Sequence, residues 1–469
     1  MNFYLFDTAV LGQTHGLCTA LEHPKKDPKG ALMREEYFAA SPRRWEPRID
    51  NGYPNVFFDS DAQKYRCYYT LFSIDPYSAS VPLAARKGAR YTPGEGREVS
   101  LAYAESLDGA HWVKPALGLT EFEGRTDNNL LLRGVHGASV FYDGREQDTS
   151  RRYKMLYRQD GGERLLAVAF SGDGIHFDRH TVITPGKRRL MADSHNFAFY
   201  EEKSGRYVLI SRHWRRNLRI VTRMESEDFI HWSDPAEVLA GLGRDDQIYS
   251  MPVFACDGLY IGLPSIYHGG DTARGHFDCV DCELAYSFDT VHWQRIAPGT
   301  PFIERSPGVY PEGGADCGCI YASVPVRQGD ELMFYYMGGN GRHTNFRETS
   351  LMRATLKAGR LMSLRAGQDG GTLETAVLDL SPSALTVDAV CGPQGVRAQV
   401  CDAGGRPLPG YDFEHSRCDG GDGRLSLRWA EHERLPEARG ARIKFALSDA
   451  RVYSFACDAA FHNPFLLGL

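Results

Sequence analysis

The sequence predicts an all-β chain, a five-bladed β-propeller followed by a C-terminal β-sandwich, and three observations carry that prediction. First, a two-part pattern recurs five times between Ile49 and Gly338. A polar, mostly acidic residue precedes a short apolar run, a turn follows, and an aromatic-rich run comes next. The copies begin at Ile49 (IDNGYPNVFFDSDAQKYRCYYT), Gly134, Ala192, Arg244 and Gly314. Second, a string Ser-x-Asp-x-x-His-Trp/Phe is interleaved between them, at Ser106–Trp112, Ser171–Phe177, Ser226–Trp232 and Ser287–Trp293. Third, the 49 glycines suit a turn-rich β fold. Self-similarity at a period of about 50 to 85 residues, built from strand-like runs, marks a propeller with one copy per blade.

In order along the chain, the expected blades run from about Pro54 to Leu364, the last closing with TSLMRATLKAGRLMSL at Thr349–Leu364. A glycine-rich connection at Ala366–Thr372 follows, which divides the chain into a propeller domain, 1–365, and a second domain, 366–469. Beyond it, Ala384–Tyr411, Arg424–Trp429 and Ala441–Ala456 alternate apolar and polar residues between Gly/Pro/Asp turns, the pattern of a β-sandwich of about 100 residues. That domain either covers and stabilises the propeller or binds sugar. Helical signals are sparse: Ala430–Gly440 is interrupted by Pro436 and reads as a turn or two.

A net charge of −6 gives no reason to expect nucleic acid or an anionic membrane as partner, so a small or neutral carbohydrate ligand fits better. The N-terminal residues lack the basic start and apolar core of a secretory signal, and no run approaches the ~20 apolar residues of a membrane span. Eleven cysteines are then expected as reduced thiols in the cytoplasm. Cys279-x-x-Cys282 and Cys317-x-Cys319 lack the regular spacing of a zinc site, so no metal and no cofactor is expected. The composition is compatible with a homo-oligomer.

In a propeller, residues at the starts of the innermost strands converge on one face. Here those positions hold Asp50, His136, Asp193, Asp246 and Asp316, four carboxylates and an imidazole expected in one funnel. Asp is also favoured wherever a turn leads into a strand, because its side chain bonds nearby backbone N–H groups. The four His-containing strings occur once per blade in the same frame, which favours a repeated structural role. They are similar to the Asp-box of sialidases, where the glycine falls two residues after the Asp; here it follows at once, as in Asp108-Gly109, or is missing, as in Asp228-Phe229.

The combination of five such units with a trailing sandwich resembles the five-bladed propeller glycosidases, the superfamily of invertases, levansucrases and arabinanases. More closely it resembles a bacterial branch of glycoside-hydrolase 32/43/68-like proteins. The residues that carry the likeness are Arg43–Asp59, Ser106–Asn129, Asp193–Trp214, Glu225–Leu239 and Pro311–His343, with Gly405–Phe413 near the C-terminus. The resemblance implies a funnel with an Asp as nucleophile or base, an Asp that stabilises the transition state, and a Glu as acid. Asp50 matches the first by position, with Asn51-Gly52 where Asp-Pro is familiar. His136 stands where a second Asp is usual, which shifts the stabilising role to Asp193. Glu312, four residues before Asp316, and Glu46, four before Asp50, are the acid candidates, and Asp316 is a further catalytic candidate. Glu46, His136, His195, Arg212, Asp246, Tyr249 and His343 are expected to bind substrate, Arg212 also to hold a neighbour ionised. The implied activity is an exo-acting hydrolase on a furanoside-containing oligosaccharide or glycoconjugate. A glycoside phosphorylase, with Arg212, His195 and His343 receiving phosphate, and a non-catalytic sugar-binding propeller are the alternatives.

Overall fold

The structure is a computed structural model that describes residues 1–36, 43–86, 89–160, 165–181, 192–310 and 312–463. The chain forms two compact units, Pro24–Leu356 and a second made of Met1–His23 with Lys357–Leu469.

The larger unit is a series of antiparallel meanders. The first sheet takes Asn55–Asp59, Lys64–Ile74, Glu98–Ser106 and Leu130–Arg133 in chain order. The second takes Val135–Tyr142, Tyr153–Gln159, Leu166–Ser171 and Asp178–Thr181, and the third Phe197–Glu201, Arg206–Arg215, Leu218–Ser226 and Ala236–Ala240. The fourth takes Val253–Cys256, Leu259–Gly262, Leu284–Ser287 and Trp293–Ile296. The fifth is built on Cys319–Ala322, Glu331–Gly339 and Thr349–Lys357. Four of the repeated copies are thus each the inner hairpin of one sheet; the copy at Arg244 is split, Gln247–Ser250 joining the fifth sheet through Ser265–Tyr267 and Val280–Cys282 while Val253–Cys256 and Leu259–Gly262 open the fourth. Residues Leu101 and Tyr68 of the first sheet pack on Val140 and Met155 of the second. Val168 of the second packs on Leu209 of the third, Val208 of the third on Tyr260 of the fourth, and Cys67 of the first on Tyr335 of the fifth. Phe254 of the fourth meets Phe334 of the fifth, ring centroids 6.2 Å apart, so every sheet is flanked by two others.

The acidic and aromatic halves of the repeat explain each other. Asp59, at the end of the first sheet's inner strand, accepts a 2.6 Å hydrogen bond from the Tyr153 hydroxyl of the second sheet. Asp143 accepts one of 2.7 Å from Tyr207 of the third, and Glu201 accepts one from Tyr260 of the fourth. A buried hydroxyl left without a partner costs about 1–3 kcal/mol, so each pair fixes both a neighbour and its register.

The Ser-x-Asp-x-x-His-Trp/Phe strings are turns between the third and outermost strands. In the first three the Ser Oγ accepts the N–H three residues on, and in the fourth Ser287 Oγ accepts that of Asp289; in each, one Asp oxygen accepts two backbone N–H groups, as Asp108 does from Ala110 and His111 at 2.8 Å each. The other oxygen holds the His ring, 2.6 Å at His111 and 2.7 Å at His231. All four residues after the Asp have left-handed backbone, with φ of 70° at Gly109, 76° at Gly174, 67° at Phe229 and 63° at Thr290. That conformation is why glycine occupies the position twice. Phe229 accepts it because its ring is fully buried against Phe141 and Phe170 of the second sheet. The imidazoles point to solvent, 68% exposed at His231. They are turn residues, as the spacing suggested.

The structure divides the chain differently from the expected 1–365 and 366–469. Lys25–Lys26 and Met33–Arg34 pair with Thr349–Lys357 as the outer edge of the fifth sheet. Asn2–Tyr4, Leu11–His15 and Cys18–Leu21 join the second unit, where Phe3, Leu5 and Val10 enter its core. The reason is pairing: an outer strand edge with open N–H and C=O groups is closed by whichever segment can reach it. The second unit has two sheets, one of seven and one of six strands. Leu385–Cys391 alternates buried and partly exposed residues as a half-buried strand should. The segment 430–440 holds no helix, whereas Pro76–Ser80 and Leu83–Arg86 form two short ones that the sequence reading missed. Among the described residues no helix is long and apolar enough to cross a membrane.

Trp232 is 5% exposed and donates its indole N–H to the Phe229 carbonyl. Trp232→Ala is expected to cost about 3–5 kcal/mol in urea unfolding, whereas His231→Ala, at a solvent-facing ring, should leave turnover unchanged. A catalytic defect in His231→Ala at unchanged stability would contradict the structural role of the turn.

Candidate active site

The approach to the first sheet carries three left-handed residues within four positions: Asp50 (φ 62°), Gly52 (φ 71°) and Tyr53 (φ 40°). A Cβ on Gly52 would lie 2.5 Å from Met337 Cγ, so glycine is required where this turn crosses the fifth sheet. The turn directs Asp50, Asn51 and Tyr53 at a cavity of about 380 Å³, also lined by Arg48, Arg90, Tyr91, Arg97, His136, Asp193, Tyr249 and His343.

Asp50 is the most constrained group there. Its Oδ1 accepts from Arg48 Nη2 at 2.6 Å and Nε at 3.0 Å, and from Arg347 Nη2 at 2.8 Å. Among the described residues its Oδ2 takes no hydrogen bond, and the side chain is 22% exposed. Burial alone would raise this carboxyl, but the Arg347 and Arg48 guanidinia hold it far below the usual carboxylate range. Arg48 and Arg347 are nearly fully buried, and Arg347 also donates to Asn51 Oδ1 at 2.5 Å.

Asp193 is the second carboxylate on the cavity, a third exposed, paired with the buried Arg212 guanidinium. Arg212 lies 5.0 Å over the Tyr249 ring and 5.1 Å over Trp214, and burial lowers its proton affinity. His136 donates or accepts between Arg158 Nη2 at 3.3 Å and Asp160 at 3.5 Å, and burial lowers its pKa. His343 contacts the Tyr249 ring at 5.0 Å and the Tyr321 hydroxyl at 3.1 Å through Nδ1. Burial pushes it down to about 3, so it is a neutral imidazole at ordinary pH.

The structure therefore brings together Asp50, Asp193, His136, Tyr249 and His343, with Arg212 directly behind. The remaining expected residues lie elsewhere. Asp246 is drawn into a two-oxygen pair with Arg295 at 2.7 and 2.8 Å, beside Glu283 on the fourth sheet. Asp316 is fully buried on Lys26 Nζ at 2.6 Å and the Tyr336 hydroxyl at 2.9 Å, so it fastens the N-terminal strand to the fifth sheet. Glu312 is exposed in the turn that closes on Val309 and does not line the cavity. Glu46 is fully buried on Lys114 Nζ at 2.6 Å; burial raises its carboxyl, but it also lies off the cavity. His195 sits behind Tyr53, ring centroids 5.8 Å apart, with Nε2 3.1 Å from Asn55 Oδ1, and burial pushes it down to about 3.

Arg48, Tyr53, Arg90, Tyr91, Arg97 and Arg347 were missed. Arg48 and Tyr53, two and three residues from Asp50, stand close enough in sequence to have been suspected. Glu35 was also missed: it accepts the Ile49 N–H at 2.9 Å, and burial pushes its carboxyl up to about 7. Among the described residues no cluster of His, Cys, Asp and Glu could hold a metal ion, and the eleven cysteines form no disulfide.

No protein-family model matches the sequence, and no curated protein matches it. Among solved structures the chain is similar to a β-1,2-mannobiose phosphorylase from Listeria innocua, at 14% identity and a TM-score of 0.48 over 72% of this chain and 97% of that one. It is similar also to an N-acetylgalactosamine deacetylase from F. plautii, at 15% identity and a TM-score of 0.46 over 71% and 95%. An α-L-arabinofuranosidase from Podospora anserina gives 14% identity and a TM-score of 0.44 over 70% and 96%.

The two imidazoles pushed down to about 3 set an acid limit on stability. His195 and His343, at about 3 in the folded chain against ~6.5 unfolded, bind fewer protons in the folded state across that interval. Stability therefore rises with pH between those values and falls as pH drops below ~6.5. The depressed Asp50 acts the same way lower down, its contribution being lost only as pH falls well under the carboxylate range. The urea midpoint is expected to fall between pH 7 and pH 5, and less so in His195→Gln; an unchanged slope in that variant would contradict the assignment.

Proposed function

We propose that this cavity is the active site of a glycosidase that releases the terminal sugar of a short oligosaccharide or glycoconjugate. The observation that carries the reading is Asp50: one oxygen is saturated by three guanidinium N–H groups and the other is free, on a cavity that a second carboxylate shares. Cleavage of a glycoside passes through an oxocarbenium-like state, which needs an ionised carboxylate across the ring and a proton at the leaving oxygen. Asp50 cannot hold a proton near neutrality, so it takes the anionic role through Oδ2, as base or nucleophile. The proton then falls to Asp193, which has one guanidinium partner and is open to the cavity. A sugar seated on Asp193 displaces water from it, and desolvation raises a carboxyl toward the range of a general acid. Tyr53 and Tyr249 offer ring faces to the sugar, and neutral His343 and His136 offer hydrogen bonds to its hydroxyls.

A cavity of about 380 Å³ suits one terminal residue with part of its leaving group, which supports exo action. The proposed donor is a furanosyl unit, fructosyl or arabinosyl, on the strength of the sequence resemblance. Asp193→Asn keeps the side-chain shape and should slow turnover by about 10²–10⁴-fold, with some loss of stability because the buried Arg212 guanidinium loses its counter-ion. Asp50→Asn should be as inactive but also less stable by about 3–5 kcal/mol, because two buried guanidinia lose their counter-ion. That differs from the simple expectation that an Asn at any funnel carboxylate spares the fold. A panel of aryl furanosides, aryl pyranosides and short oligosaccharides, with released sugar as readout, tests the reading. Wild-type turnover undiminished in Asp193→Asn would overturn it.

A further inference from the structure

The cavity holds more guanidinium charge than its carboxylates use. Asp50 is shared by Arg48 and Arg347, and Asp193 is paired with Arg212. Arg90 and Arg97, which also line the cavity, have no carboxylate partner among the described residues. The acids near them are engaged or turned to solvent. Asp75 accepts from Tyr91 and Ser78, Glu98 is paired with Arg133, and Glu95 is exposed.

The arginines are held in place. The Arg48 guanidinium lies 3.8 Å over the Tyr91 ring, and its Nη1 is buried with no hydrogen-bond partner. Arg97 lies 4.9 Å over the Phe72 ring and donates to the Tyr91 hydroxyl at 3.3 Å. The backbone of Arg90 bridges to Asn345, next to the turn that carries His343. Two exposed guanidinia without carboxylate partners on the wall of one cavity are an arrangement that a planar or tetrahedral oxyanion completes, since such groups bind guanidinium in two-point fashion.

We propose that Arg90 and Arg97, on the wall of the cavity, form an oxyanion subsite, and that the enzyme acts on a glycoside in the presence of a bound carboxylate or phosphate group. The inference rests on the glycosidase reading of the same cavity. The oxyanion comes either from the sugar itself, as a uronate or a phosphate ester, or from free inorganic phosphate. In the first case it anchors the substrate. In the second a phosphate oxygen attacks the anomeric carbon, the glycosidic C–O bond breaks, the leaving oxygen takes the Asp193 proton, and a sugar phosphate is released.

The test is calorimetric binding of inorganic phosphate, of a methyl uronoside and of its neutral counterpart to the full chain at low salt, for wild type and for Arg90→Gln/Arg97→Gln. The expected result is that phosphate or the uronoside binds at least 10-fold more tightly than the neutral glycoside, with that preference lost in the double variant and at high salt. Preference for the uronoside places the oxyanion on the sugar; phosphate binding with sugar phosphate among the products places it on the co-substrate. Equal binding of charged and neutral probes, or unchanged binding in the double variant, overturns the subsite. Binding needs no turnover, so the two readings fail separately. Cleavage of neutral glycosides with no anion preference would leave the glycosidase standing without the subsite, and anion binding with no cleavage of any glycoside would do the reverse.

Discussion

Two buried guanidinia meeting one carboxylate is the constraint on which the larger unit turns. Arg48 precedes the first sheet and Arg347 the last strand of the fifth, and both end on Asp50 Oδ1. The Thr349 hydroxyl adds a 2.7 Å hydrogen bond to the Asp50 carbonyl, and Glu35 takes the neighbouring Ile49 N–H. Buried charge is costly unless paired and hydrogen-bonded, so the first and fifth sheets meet with little freedom here. The same pairing keeps Asp50 ionised and leaves its second oxygen facing the cavity. Left-handed backbone at Asp50 and Tyr53 is tolerated because these contacts over-determine it, which is the usual circumstance of strained residues at functional sites.

Around that junction the remaining contacts repeat. An acid at the end of an inner strand accepts a tyrosine hydroxyl from the next sheet, and a Ser/Asp turn presents its left-handed residue to the sheet before. The Tyr68 hydroxyl meets the Gly174 carbonyl at 2.9 Å, and the Tyr335 hydroxyl meets that of Gly109 at 2.8 Å. Polar and apolar contacts thus alternate between the same pairs of sheets.

The hairpins were legible because period-two alternation and Gly/Asp turns are local, and Asp50, Asp193 and His136 were legible because the first two stand just before an inner strand and His136 at the start of one. Asp246 and Asp316 stand in the same place and go elsewhere. Their partners, Arg295 and Lys26, lie 49 and 290 residues away, and nothing near either Asp announces them. The acid candidates Glu46 and Glu312 failed for a related reason: spacing from an Asp does not say which side of a turn faces the cavity. Arg347 is 297 residues from Asp50. The N-terminal strands were assigned to the wrong unit because an edge strand carries no signal of which sheet it will close. The oxyanion-ready arginines at 90 and 97 read in sequence as ordinary surface charge.

The most direct measurement is a crystal structure with the released monosaccharide bound. The account predicts a sugar hydroxyl or the anomeric centre within hydrogen-bond reach of Asp50 Oδ2, about 2.6–3.2 Å, with Oδ1 still held by Arg48 and Arg347 and Asp193 at the leaving-group side. A sugar seated away from this cavity, with Asp50 and Asp193 untouched, would contradict it.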